Sequence, residues 1–349
     1  GAVVHVVSRS GGPGVFPSIQ EALFRARPGD RVQVVDPTWE ESVHLTGEAG
    51  AGRGVILEGA GDQPVVWRTP RGHRDDQPLV YLSSVAGLRL RNFTLDGQDR
   101  VKDLVAVAGP CPGLALEDLS LTGFNQSAVN LSDCSGEAES PVSLHHLRAV
   151  PTHTVASALR FEGRPGEGNR CVRVQDSRLE GPYQAAVTLT GTAIDVEFVH
   201  NRFFNATDGL FYRRATPSGS LGLTLASNTF CNLTGVAVRF ETTPPPAVSR
   251  VTLSKNLFAR TGTLARVDDL GPRPADGSAA AELIPESTGN VRDTSSAEGK
   301  PSLHAVAVTF ELPTDPADDA HFLHYGRASM PALAGMPGVP PPEKPADKQ

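Results

Sequence analysis

At 349 residues, with 35 Gly, 29 Pro and 6% aromatic residues, the chain is ill suited to a helical bundle or to a sandwich of bulky side chains, and suits many short strands joined by turns. A formal net charge of −7 without a concentrated basic stripe excludes nucleic acid and anionic membrane as main partners. No apolar run approaches the roughly 18 residues of a membrane span, so no membrane insertion of this segment is expected.

Taken in order, Val3–Val7 reads as a first strand and PSIQEALFRARPGD, from Pro17, as a short helix. Pro17 sits near its start, Ser18 and Glu21 have capping-box spacing, and Ile19, Ala22, Leu23 and Ala26 form an apolar stripe that Pro28-Gly29 ends. Short alternating strands follow as RVQVV at Arg31, SVHL at Ser42 and GVILEG at Gly54.

One phrase then recurs. It reads LRLRNFTLDG, LALEDLSLTG, VSLHHLRAVP, VRVQDSRLEG, VEFVHNRFF, LTLASNTFC and VTLSKNLFA, starting at residues 88, 114, 142, 172, 196, 223 and 251. Strand-type alternation at so steady a period marks a solenoid with one coil per repeat. A second strand family lies between the copies, as AVNL at Ala128, ALRF at Ala158, AVTL at Ala186, GLFY at Gly209, AVRF at Ala237 and LARV at Leu264. Each coil therefore carries at least two strands, with a third expected. Coils stacked about 4.8 Å apart, nine or ten of them, would make a rod of roughly 45 Å. The expected inward column is Leu90, Leu116, Leu144, Val174, Phe198, Leu225 and Leu253, and the helix would cover the apolar end of the first coil.

The repeated Asn201, Asn228 and Asn256 read as structural, because Asn tolerates left-handed backbone and its amide can bond to its copy one coil away. Residues 1–30 are thus the strand and capping helix, and 31–270 the solenoid. Residues 271–303 read as a long excursion, 304–330 as a closing strand region and 331–349 as a Pro-rich flexible tail.

Projected outward, the second strand family gives two columns. One runs through Asn130, Arg160, Thr188, Phe211, Arg239 and Arg266, the other through Ser132, Glu162, Thr190, Arg213, Glu241 and Asp268. Such a ladder is either a salt-bridged solvent face, where each pair stabilises little, or a glycan groove. In the groove, arginines would meet carboxylates and an aromatic would meet a sugar face. The candidate binding residues are Arg160, Glu162, Phe211, Arg213, Arg239, Glu241, Arg266 and Asp268. His145, His146, His153 and His200 could approach one another on neighbouring coils, but no metal-ligand spacing accompanies them, and no metal site is expected. Cys111, Cys134, Cys171 and Cys231 are spaced too irregularly for a zinc knuckle or a small disulfide framework. Buried free thiols, or one or two disulfides in an exported chain, remain open.

Several phrases resemble the right-handed parallel β-helix (pectin-lyase-like) superfamily. PSIQEALFRARPGDRVQV is similar to its opening, and DPTWEESVHL to its PGTYxExVxI segment, with Trp39 at the aromatic and Glu41 at the Glu, although Asp36-Pro37 departs from Pro-Gly. VILEGAGDQPVV and NFTLDGQ resemble its glycine turns, and ASMPALAG, from Ala328, is a weaker echo of its closing phrase. The resemblance implies an all-β fold, a single right-handed parallel β-helix of about nine or ten coils with a short N-terminal capping helix. It is nearly silent on activity, since the fold hosts lyases, hydrolases, esterases and non-enzymes.

The Asn-Thr-Asp and Gly-His-Gly phrases of polygalacturonases and the Gln-Asp-Thr of pectin methylesterases are missing. A lyase would need only an Arg or Lys base and a Ca²⁺ held by carboxylates, which makes Arg213, Arg239 and Glu241 the catalytic candidates. The function expected is a non-catalytic binding or scaffold module, carbohydrate- or surface-facing, monomeric and extracytoplasmic, without a cofactor. Gly1 is not an initiator methionine, which fits a segment of a larger exported or membrane-linked bacterial protein such as a serine/threonine kinase. The alternative is a polysaccharide lyase or glycoside hydrolase acting on an acidic polysaccharide.

Overall fold

A computed structural model of the chain describes residues 1–164, 167–213, 220–242, 249–269, 286–288, 290–293, 304–306, 310–311 and 324–325. Its backbone is a right-handed all-β parallel solenoid of about nine turns. Each coil has three strand positions, and each position pairs in parallel with its copies in the coils on either side. The first runs through Arg31–Val34, Ile56–Gly59, the start of Arg89–Pro110, the start of Ala115–Ser135, Val142–Ala149, Asn169–Gln175, Ala193–Val199, Leu221–Ala226 and Ser249–Ser254. The second begins with Thr38–Glu40 and Val65–Arg68, and the third with Val43–Thr46 and Val80–Ser83.

The register is the one that the two-residue alternation demands. Leu90 pairs with Leu116, Leu116 with Leu144, Leu144 with Val174, Val174 with Phe198, Phe198 with Leu225 and Leu225 with Leu253. Every member is buried. On the second strand position a parallel inward column ends in Phe203, Phe230 and Phe258, whose rings stack at 4.5 and 5.1 Å between centroids.

Between these two columns lies the asparagine ladder. The same inward column is apolar in the early coils, at Val65, Phe93, Leu119 and Leu147, and then becomes Ser177, Asn201, Asn228, Asn256 and Asn290. Each amide oxygen accepts the backbone N–H of the preceding member: Asn201 Oδ1 from Ser177, Asn228 Oδ1 from Asn201, Asn256 Oδ1 from Asn228 and Asn290 Oδ1 from Asn256, at 2.8–3.0 Å. Each Nδ2 donates to a strand carbonyl of the coil before, at 2.9 Å, from Asn201 to Val174, Asn228 to Phe198, Asn256 to Leu225 and Asn290 to Leu253.

The bond from copy to copy is therefore real, but the left-handed backbone belongs elsewhere. Asp176, His200, Ser227 and Lys255, each one residue before the ladder member, have φ of 50–56°, while the asparagines do not. The ladder also reaches one coil further than the sequence phrase suggested. Glu286–Thr288 pairs with 252–254 and Val291–Asp293 with 257–258, so part of the expected excursion is another coil. Most of 271–303, most of 304–330 and all of 331–349, including the ASMPALAG phrase, lie outside the described residues.

Helix α1, Ile19–Arg25, is short and held by side chains rather than by propensity. The Ser18 hydroxyl accepts from Glu21 N, and the Glu41 carboxylate accepts from Ile19 N at 2.8 Å, from Gln20 N at 2.9 Å and from the Trp39 indole at 2.9 Å. Ile19, Ala22 and Leu23 are buried. Asp30 ends the opening segment by accepting from Val3 N, Arg27 N and the His5 ring, all at 2.9 Å. Those donors, Arg27 N first, hold its carboxyl well below the usual range.

Candidate functional site

The third strand position carries the two outward columns, and the pairing confirms their order. Asn130 pairs with Arg160, Arg160 with Thr188, Thr188 with Phe211, Phe211 with Arg239 and Arg239 with Arg266. In the second column Ser132 pairs with Glu162, Glu162 with Thr190, Thr190 with Arg213 and Glu241 with Asp268. Alternation turns these side chains out of the core, and parallel stacking sets like positions side by side.

The surface is not flat. A depression of about 390 Å³ is lined by Arg160, Thr188, Asp208, Phe211, Arg213 and Arg239, among others. A second, of about 500 Å³, is lined by Asp133, Arg160, Glu162, Arg164, Thr190 and Arg213 with their neighbours. Arg160 and Arg213 belong to both, so the two depressions adjoin across these side chains and together make one trough. Half-buried Phe211 carries Arg239 at 4.4 Å from its ring centroid and Arg213 at 5.9 Å.

The candidate residues separate into two groups. Arg160 pairs with Glu162 at 2.6 Å, and Arg213 is exposed, with no ion pair found among the described residues. At the other end the charges cancel one another. Arg239 meets Asp268 at 2.8 Å and Asp208 and Glu241 at 3.5 Å, while Arg266 meets Asp268 at 3.0 Å. Glu241, Arg266 and Asp268 line neither depression. The ladder is thus an open trough around Arg160 and Arg213 that gives way, at Arg239 on its wall, to a salt-bridged face. Arg239 is also held away from base chemistry. Burial pulls its pKa down, but the hydrogen bond it donates to Asp268 and the charges of Asp268 and Asp208 raise it overall.

Sequence reading missed Asp103 and Asp208 because both lie just outside the strand phrases. Asp208, 5% exposed, accepts Val236 N at 2.8 Å and faces Arg239. Asp103 accepts from the Ser127 hydroxyl and from Asn130 Nδ2 at 3.3 Å, and burial pushes its carboxyl up. Arg164, a third trough arginine, is anchored on Asp133 at 2.7 Å and Glu167 at 2.6 Å.

The histidines do meet acids across coils. His145 and His200 face Asp176 at 3.1 and 3.6 Å, and His146 faces Asp118 at 2.6 Å. Among the described residues, no group of three or more His, Cys, Asp or Glu is arranged to hold a metal ion. No helix among them is long and apolar enough to cross a membrane.

No family model and no curated protein matches the chain. Among solved structures, a polygalacturonase from Erwinia carotovora ssp. carotovora is 10% identical, covering 87% of this chain and 95% of that one, with a TM-score of 0.44. A thermostable GH87 alpha-1,3-glucanase catalytic unit from Streptomyces thermodiastaticus is 12% identical over 80% of this chain and 66% of that one, with a TM-score of 0.34. A mannuronic acid specific polysaccharide family 6 lyase from human gut microbiota is 11% identical over 83% and 81%, also at 0.34. These similarities are of chain path, and no residue of the trough is read across from them.

Proposed function

We propose that the chain is a non-catalytic glycan-binding β-helix module, an extracytoplasmic segment of a larger exported or membrane-linked bacterial protein such as a serine/threonine kinase. Its trough takes a polysaccharide or cell-surface glycan that bears acidic groups. The observation that carries this reading is the shared wall: Arg160 and Arg213 border both depressions, with half-buried Phe211 between Arg213 and Arg239. Exposed and unpaired among the described residues, Arg213 is the cation best placed for a ligand carboxylate, and Phe211 offers part of its ring to a sugar face. Helix α1 covers the apolar end of the first coils in the same reading.

The enzyme alternative is a polysaccharide lyase or glycoside hydrolase acting on an acidic polysaccharide, and a lyase requires a base that is unprotonated near neutral pH. Arg239 is shifted the other way and Glu241 is engaged with it, so of the three catalytic candidates only Arg213 is left without an acidic partner among the described residues, and it is assigned to the ligand carboxylate.

Calorimetric titration of the full chain with polygalacturonate, alginate and a neutral glucan tests the proposal. Binding of a polyuronate is expected, without release of unsaturated product in the presence or absence of Ca²⁺. R213A and F211A should each weaken it about 10-fold, roughly 1.4 kcal/mol. Equal binding by both variants, or no binding to any of the three polymers, would overturn it. Accumulating unsaturated product would instead establish the lyase.

A further inference from the structure

Two of the four cysteines meet inside the solenoid, on neighbouring coils. Cys111 and Cys134 are both fully buried. Pro110 pairs in register with Ser135, and Cys111 N donates to Ser135 O at 2.7 Å, so the two cysteines flank one rung of the ladder between their coils. Both thiols are free, the Cys111 thiol donates to Ala108 O at 3.4 Å, and the two sulfurs lie near enough to shift one another's titration, Cys111 down and Cys134 up. The other two cysteines stand apart. Cys171 is half-buried beside Asp195, and Cys231 packs with Ala259 and Phe204.

Two buried thiols that flank one rung across a coil boundary are placed for a bond that neither makes alone. We propose that Cys111 and Cys134 form an inter-coil disulfide when the chain folds in an oxidising compartment, with a small-molecule disulfide such as oxidised glutathione as the oxidant.

The exchange balances in two steps. The Cys111 thiolate attacks one sulfur of the oxidant, forms a mixed disulfide and expels one thiolate. The Cys134 thiolate then attacks the Cys111 sulfur and expels the second. Two protein thiols are oxidised, one disulfide is reduced to two thiols, and the thiol protons leave with the expelled thiolates. Complete burial restricts the exchange to the folding chain or to a locally opened coil.

A solenoid holds each coil only through its neighbours, so a covalent tie at one boundary raises the cost of parting the chain there. The pairing is independent of the trough, and it would stand if no glycan bound.

The test uses the full chain equilibrated in a glutathione buffer as oxidising as an export compartment, then denatured, alkylated and digested. The expected result is two alkylated cysteines, Cys171 and Cys231, with the Cys111 and Cys134 peptides joined and the protein lighter by two hydrogens. Tm should fall by about 4 °C on adding reductant. That difference should vanish in C111S and C134S and persist in C171S and C231S. Four alkylated thiols, or a disulfide through Cys171 or Cys231, would overturn the proposal. The peptide map of the unsubstituted chain decides the matter even if a serine variant does not fold.

Discussion

Asn228 shows how much one inward residue can hold. Its Oδ1 accepts the Asn201 N–H, and its Nδ2 serves the Phe198 carbonyl at 2.9 Å and Asn256 Oδ1 at 3.1 Å. Asn228→Ala would leave a buried N–H and a buried carbonyl without partners, and should cost about 2–4 kcal/mol in urea unfolding. Asp30 acts at the other end of the chain. Its folded pKa lies well below the ordinary carboxylate value of the unfolded chain, so its stabilisation is complete above that ordinary value and is lost as pH falls through the lower folded one. Asp30→Asn should lower Tm near neutral pH and flatten its decline between about pH 5 and 2, as read by thermal melts across that range. At this scale the sequence was only half informative. The Asn repeat announced a ladder, but nothing in its spelling says that the residue before it takes the left-handed turn. Asp176, His200, Ser227 and Lys255 share no side-chain chemistry, since the turn constrains φ and leaves the outward group free.

Elements were the most legible level, because a strand buried on one face writes its period into the chain. The seven phrase starts fall within a few residues of the observed strands, and the expected third strand is the one through Thr38–Glu40 and Val65–Arg68. It was hard to see because it runs into its neighbours across corners of only a residue or two. Helix α1 was legible from Ser18 and its apolar stripe, but its main support was not. Glu41, twenty-odd residues on, receives two amides of its first turn, and Gln20 is in turn sewn to the His44 backbone in both directions, at 2.8 and 3.0 Å. Glu41→Ala should therefore destabilise the N-terminal coils by about 2–3 kcal/mol, more than Ser18→Ala at about 1 kcal/mol. Hydrogen exchange at Ile19–Arg25 would show whether the loss is local to the helix.

For the whole molecule, the parallel register made the candidate face readable as columns, since a residue and its copy one coil away must be neighbours. Which members of a column stay open was not readable. That depends on carboxylates such as Asp208 and Asp133, which approach from the corners of the coil, outside the alternating strands. They occupy Arg239 and Arg164 and leave Arg213 open among the described residues. The chain as a whole is acidic at −7, whereas the trough is lined by Arg160, Arg164, Arg213 and Arg239 against Asp133, Glu162 and Asp208, so the local balance is close to neutral and slightly positive.

The amide ladder has a consequence for how such a chain lengthens. From Asn201 to Asn256 each asparagine accepts from the member before it and is itself served by the member after it, so every interior rung repeats the same pattern. A duplicated segment carrying its own asparagine could be spliced between Asn228 and Asn256 with every donor and acceptor again matched. Hydrogen bonding thus sets a pitch but no stopping point, and the number of coils is a quantity that unequal recombination can change one unit at a time.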